Sequence, residues 1–304
     1  MLSRLLGFGG SLSKKDLGKI EEVVEVCSDD CGACSYDDNA EVSKAEANYS
    51  KLKIDMDGAL FGSSKSSKVH FIVPTSQTDW AHDACSEKRG SVQDKLATWI
   101  DNNKSKFTKT KAAGDVLRCS VSSLPIDIMD LDVMRGEKNN ILVLPHFLWI
   151  QDVKATQIGS LLDEYVPLLV DNKRDELLSK ENVIEAKQES FMFLCSHKTR
   201  DKRCGVTAPV LKRFMDQELQ THGLYRDASD FSPNGATVAY INHVGGHKFA
   251  ANVVIYLRKS HSMVWLARVS PKHVKAIVDN IILPDTPKLP WPEKVRCVEK
   301  YGEW

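Results

Sequence analysis

The sequence predicts an α/β protein built from two halves of similar plan. Three observations carry this expectation. Short apolar runs that suit buried strands recur through the chain after residue 65. In each half the first such run leads into a polar loop and then into a segment with helical periodicity. Between the halves lies 171–190, highly charged and without a strong apolar stripe.

In the first half, residues 69–73 read as a buried strand, and TSQTDWAHDACSEK is the polar loop. Residues 91–102 read as a helix with Leu96, Trp99 and Ile100 on its apolar face. Strands over 116–121 and 141–144 follow, then a helix over 155–165. In the second half 191–194 is the strand and CSHKTRDKRCG the loop; Thr207 is a suitable N-cap, with Pro209 in the first turn of the helix that follows. Val210, Leu211, Phe214 and Leu219 give that helix an inward stripe, and Gly223 stops it. Strands over 237–241, 252–257 and 263–266 come next. The last helix opens at Ser270 and Pro271 and turns Val274, Ile277, Val278 and Ile281 inward. The order strand, helix, strand, strand, strand, helix resembles the thioredoxin fold with one crossover replaced by a loop. Residues 1–65, rich in Ser, Asp and Lys, are expected to form an irregular arm, with domains over 66–180 and 186–304.

Composition excludes several functions. With 304 residues and 42% hydrophobic content the chain can bury substantial cores. The 41 basic residues balance the 41 acidic ones, which disfavours nucleic acid as a partner. No apolar run approaches the roughly 20 residues needed to span a bilayer, so no membrane partner is expected. Eight cysteines are too sparse for a disulfide scaffold and point to a reducing compartment. The start, MLSRLLGFGGSLSKKDLGK, is basic and lacks acids before Asp16, but its apolar stretch is broken by Gly7, Gly9 and Gly10. The cytoplasm is therefore expected, with the mitochondrial matrix as the minority alternative.

Chemistry concentrates in two segments of the second half. CSHKTRDKRCG brackets eight residues with Cys195 and Cys204, and NHVGGHK sets His243 and His247 around a Gly-Gly pair. Two thiols and two imidazoles suggest a metal site. Structural zinc sites usually space their cysteines by two to four residues and carry H-x3-H on a helix. Neither holds here, since Gly245 and Gly246 make a poor helix. A 2Fe–2S cluster has two irons and accepts ligand pairs from separate loops, although Rieske centres pair one Cys with one His in each loop. The first half has His82, Cys85 and Cys119, with nothing to complete four ligands. Neither a C-x-x-C pair in the thioredoxin-like loop nor a glycosidase-like carboxylate pair occurs, which disfavours a thiol–disulfide oxidoreductase and a sugar hydrolase.

CSHKTRDKRCG and HVGGHKFAANVVIY, with PTSQTDWAHDAC, VSSLPIDIMDLDVMRG and PEKVRCVEKY, resemble the sucrase/ferredoxin-like family of thioredoxin-like 2Fe–2S proteins. The resemblance implies a non-Rieske cluster held by Cys195, Cys204, His243 and His247, with the cysteines on a buried iron and the histidines on an outer one. It implies a thioredoxin-like ferredoxin domain over 186–304 and a degenerate thioredoxin-like domain without cluster over 66–180. The function it implies is cytosolic electron transfer with an unidentified redox partner, linked to oxidative-stress tolerance and actin patch organisation. The alternative is a zinc-stabilised interaction module of the actin cytoskeleton.

Each imidazole ligand keeps a second ring nitrogen, so proton-coupled redox chemistry is expected. His197, Lys198, Arg200, Lys202 and Arg203 are either a solvated loop or cations that favour the reduced state and dock an acidic partner. Cys27, Cys31 and Cys34 are expected to be reactive but dispensable thiols. His146, His222, His261 and His273 are expected to be structural or solvated, and Trp149, Trp265 and Trp291 to make core or domain contacts. Trp304, after Gly302 and Glu303, is similar to the C-terminal signal by which the cytosolic iron–sulfur targeting complex recognises client proteins.

Overall fold

The apolar runs VHFIVP and SFMFLC are buried along their whole length, as strands Val69–Pro74 and Ser190–Cys195. Around each, one unit of a mixed α/β protein is assembled. The computed structural model describes residues 12–27, 39–107, 116–227, 230 and 232–302. One unit comprises Ser66–Lys187, Tyr240–Asn242 and the residues from Tyr301; the other comprises the residues up to Lys65, Gln188–Ala239 and His243–Lys300.

In the first of these units the strand order is Leu117–Ser122, Val69–Pro74, Lys138–Leu144, Leu148–Lys154, Val183–Glu185. The first pair is parallel and the others antiparallel. Helices Val92–Phe107 and Ile158–Val170 turn Leu96, Ile100, Leu162 and Val166 onto Phe71, Val73 and Val143. Trp99 closes the helix pair by donating to Asp163 at 3.0 Å.

In the other unit the order is Val295–Lys300, Ser262–Leu266, Val253–Leu257, Ser190–Cys195, Ala236–Ile241, and the first three pairs are antiparallel. Helix Lys202–Thr221 connects the last two strands in sequence and buries Leu211, Phe214, Met215 and Leu219. Gly223 follows it at φ 67°. The expected N-cap at Thr207 is six residues late. The Asp201 side chain accepts from the Arg203 N–H and begins the helix there, so Pro209 lies inside it. After Ser270 the chain makes a 3-10 turn, one turn of α-helix and a π turn, burying Val274, Ile277, Val278 and Ile281.

Residues 1–65 differ from the irregular arm expected of them wherever they are described. Helices Lys14–Glu21 and Ala40–Tyr49 bury Ile20, Val42 and Tyr49, and Glu25–Val26 pairs in parallel with Lys288–Leu289. Tyr49 donates to the Thr207 carbonyl at 2.8 Å, and Arg268 donates to the carbonyls of Asp55 and Gly58 at 2.7 Å each. Single apolar residues, each anchored on a distant partner, leave no periodic signal. Strands Leu148–Lys154, Val183–Glu185 and Val295–Lys300 also escape the sequence, because Gln151, Asp152, Glu185, Arg296 and Glu299 interrupt their apolar patterns. The charged segment between the halves carries helix Arg174–Leu178, with Leu177 buried. Among the described residues no helix is long and apolar enough to cross a membrane.

His146 makes folding sensitive to acid. It is buried and bonds through Nε2 to the Leu169 carbonyl at 2.9 Å, and burial lowers its pKa from the usual 6.5 to about 4. Because the unfolded chain takes up this proton first, the contribution is complete above pH 6.5 and is lost as pH falls toward 4. The loss should reach about 3 kcal/mol. Urea midpoints measured from pH 7 to pH 4 should fall, and His146→Gln, which still donates to Leu169, should flatten that fall. An equal slope in both proteins would remove His146 as its cause.

Candidate metal centre

Cys195 ends a buried strand, and Cys204 lies in the first turn of the helix that follows, so strand and helix hold both thiols rigidly. Both are at most 1% exposed. His243 follows strand Ala236–Ile241, and His247 opens the short turn His247–Phe249. Cys195 Sγ lies 3.9 Å from His243 Nδ1, and His243 Nε2 lies 3.5 Å from His247 Nδ1. The metal-binding atoms of Cys195, Cys204 and His243 all fall within 4.8 Å of one another. His243 is half-buried and His247 exposed, so the donors run from a dry end to a wet one. Ala250 and Val244 pack against the thiols and keep that end apolar.

The thiols share a proton unequally. Contact with Cys204, supported by His243, holds the Cys195 pKa well below the usual thiol value against the opposing effect of burial. The same contact, with burial, pushes the Cys204 thiol up. A metal cation would replace that proton, and the set of two soft and two borderline donors fits zinc or iron–sulfur chemistry.

Backbone constraints close the site. A Cβ on Gly205 would lie 2.4 Å from Lys198 Cβ, so this glycine lets the helix pack against the loop after Cys195. Gly246 has φ 67°, and a Cβ there would lie 2.4 Å from Arg296 Nη2. Arg296 is 2% exposed. It donates to the Gly245 carbonyl at 2.8 Å, to Asn252 Oδ1 at 2.7 Å, and to the hydroxyl and carbonyl of Ser63 at 3.0 and 2.9 Å. Trp265 Nε1 donates to the same Asn252 oxygen at 3.2 Å.

The predicted ligands Cys195, Cys204, His243 and His247 are therefore brought together. His197 is neither solvated nor available for docking: it is 1% exposed, and its Nδ1 accepts the His243 N–H at 3.1 Å. Arg203 pairs with Asp201 at 2.7 Å and donates to the Lys53 carbonyl. Arg200 and Lys202 are exposed, as is Lys198. Cys27 is buried; Cys31, Cys34 and Trp304 lie outside the described residues. Arg296, Asn252 and Ser63 were missed. Their only sequence signal is an arginine within the apolar alternation of VRCV.

The histidine loop should be sensitive to both of its glycine and arginine restraints. Gly246→Ala places a side chain at a left-handed φ and against a guanidinium, and should cost about 2 kcal/mol or more. Arg296→Met leaves the Gly245 and Ser63 carbonyls without their buried donor, and should cost about 3 kcal/mol. Urea unfolding of the purified variants measures both, and a wild-type midpoint for Gly246→Ala would show that the loop is not pressed against Arg296.

Comparison with known proteins places the chain. It is 50% identical over 300 residues to Actin patches distal protein 1 of Saccharomyces cerevisiae, covering 96% of this chain and 95% of that protein. It is 39% identical over 94 residues to Altered inheritance of mitochondria protein 32 of Meyerozyma guilliermondii, a match spanning 31% of this chain and 30% of that protein. The protein of that name from Debaryomyces hansenii is 27% identical over 168 residues, spanning 50% of this chain and 58% of its own length. No solved structure matches. A family model described as sucrase/ferredoxin-like matches residues 60–297, a span that contains both cysteines and both histidines of the site, and the chain belongs to that family.

Proposed function

We propose that the protein is an electron carrier that holds a 2Fe–2S cluster on Cys195, Cys204, His243 and His247. The observation that carries this reading is the convergence of two buried thiols and two imidazoles, graded from dry to exposed. Such a cluster, when bound, takes up and releases one electron at a time. Cys195 and Cys204 would hold its inner iron away from water, and His243 and His247 its outer iron near the surface. Lys198, Arg200 and Lys202 are exposed in the segment between the two cysteines, and Lys248, which follows His247 in the chain, pairs with Asp55 at 3.1 Å; the exposed cations suit an acidic redox partner. Each unit runs strand, helix, strand, strand, strand and adds a fifth strand at one edge, with the first strand lying between the second and the third in the sheet, which supports reading both as thioredoxin-like. We place the protein in the cytoplasm, in keeping with its relative named for actin patches, and extend to it a role in actin patch organisation; a link to oxidative-stress tolerance rests on the family resemblance alone.

A second reading, a zinc-stabilised interaction module of the actin cytoskeleton, is favoured by the compactness of Cys195, Cys204 and His243, whose donor atoms lie close enough to share one ion. Absorption separates the two readings, since a cluster protein is coloured and a zinc protein is not.

Purified protein should absorb in the visible region and contain iron. Cys195→Ser and Cys204→Ser should each lose most of both signals, because oxygen is a poor substitute for thiolate. Joint replacement of Cys27, Cys31 and Cys34 should change neither. Colourless wild-type protein with one zinc would establish the second reading. Removal of Trp304, our proposed contact with the cytosolic iron–sulfur targeting complex, should lower iron occupancy in cells while in vitro reconstitution stays normal. Equal cellular loading would remove that contact.

His243 and His247 can each hold or release a proton at the ring nitrogen turned away from the metal. With a cluster held through them, proton uptake on these rings would accompany its reduction, so the reduction potential should fall with rising pH, by up to about 59 mV per unit for one proton per electron. Voltammetry between pH 5 and pH 10 reads this directly, and a flat potential throughout would eliminate proton coupling.

A further inference from the structure

Two cysteines that the metal centre does not use meet in the other unit. Cys85 lies in the loop after strand Val69–Pro74, and Cys119 lies on the parallel neighbouring strand, opposite Phe71. Their sulfurs are 3.7 Å apart, and Cys85 Sγ also lies 4.0 Å from the Cys119 carbonyl. Both are free thiols, half-buried and packed against the core. We propose that Cys85 and Cys119 form a reversible dithiol–disulfide couple, a second redox site independent of the metal centre.

The geometry suits closure. The loop is pinned just before Cys85 by Trp80, 3% exposed, whose Nε1 donates to Thr75 Oγ1 at 3.0 Å, and by Ala84, 4% exposed. Cys119 is fixed by the strand. The sulfurs must approach from 3.7 Å to the bonded distance of about 2.05 Å, a movement that rotation of two short side chains can supply with a small shift of the loop. Half-burial admits a small oxidant and protects the pair from larger ones.

The oxidant that fits is a small disulfide such as oxidised glutathione. The Cys85 thiolate attacks one sulfur of that disulfide, forming a mixed disulfide and releasing one thiolate, which takes up the proton Cys85 lost. Cys119 then attacks Cys85 Sγ, its proton passing to the second thiolate released. Two protein thiols are oxidised by two electrons and one small disulfide is reduced to two thiols. Contact with Cys85, with burial, pushes the Cys119 thiol up, which assigns the first attack to Cys85 and the resolving step to Cys119.

Trypsin isolates each cysteine. Cleavage after Lys68 and Lys88 gives residues 69–88 with Cys85 alone, and cleavage after Arg118 and Arg135 gives 119–135 with Cys119 alone. The reduced full-length protein is incubated with oxidised glutathione, quenched with acid, alkylated and digested. We expect the two peptides joined by a bond that reductant cleaves, with alkylation lost from both cysteines together. Cys119→Ser should trap glutathione on Cys85. Full alkylation of both wild-type cysteines, or glutathione adducts on them without the joined peptides, would overturn the couple. The joined peptides should form equally in the Cys195→Ser protein, so failure here and failure of the cluster reading are separate results.

Discussion

A buried guanidinium holds the histidine loop in place within its unit. Arg296 sits under the histidine loop and donates to Gly245, Asn252 and Ser63, with Trp265 and Phe249 rings 5.0 and 5.8 Å from its central carbon. A buried charge is tolerable only when its donors are satisfied, and here the acceptors come from three separate stretches of chain. The requirement works in both directions. Arg296 needs Ser63 and Gly245 in place, and once it is there the loop has little freedom to place His243 and His247 elsewhere. The 3-10 turn at His247 and the left-handed Gly246 follow from this contact, since only a residue without Cβ can approach the guanidinium so closely.

This dependence explains why residues before Lys65 belong with the metal-centre unit. Ser63 fixes Arg296; Asp55 and Gly58 accept from Arg268; Leu60 packs with Phe249 and Ala267; Lys53 accepts from Arg203. None of these interactions is local, and none produces a periodic pattern in sequence. The segment is ordered by what it touches, and its own propensities are weak. That is why its composition reads as an irregular arm while its described part is a packed support for the ligand loops.

What could be read from sequence follows the same division. The central strands, the helices over 92–107 and 202–221 and the four donors declare themselves through short-range patterns: apolar runs, 3.6-residue stripes, and cysteines and histidines within single segments. The helix start was misplaced because Thr207 with Pro209 imitates an N-terminus, whereas Asp201 caps the actual one. His197 stands in a charge run and by its neighbours suits solvent, but the chain turns it inward to accept the His243 N–H. The contacts of Arg296 and of Cys85 with Cys119 leave no local pattern beyond an arginine within VRCV, since their partners lie up to 233 and 34 residues away.

The two units spend similar strand orders on different chemistry. In one, the end of the central strand, the start of the following helix and the next long loop each contribute donors, and the site opens toward solvent through His247. In the other, the corresponding loop carries Cys85, its partner Cys119 lies on the neighbouring strand, and among the described residues no third His, Cys, Asp or Glu gathers with them to hold a metal. Two thiols in contact without a third ligand suit a disulfide better than a metal ion. The metal-ligand set and the dithiol pair can operate separately in one chain, because each draws all its residues from its own unit.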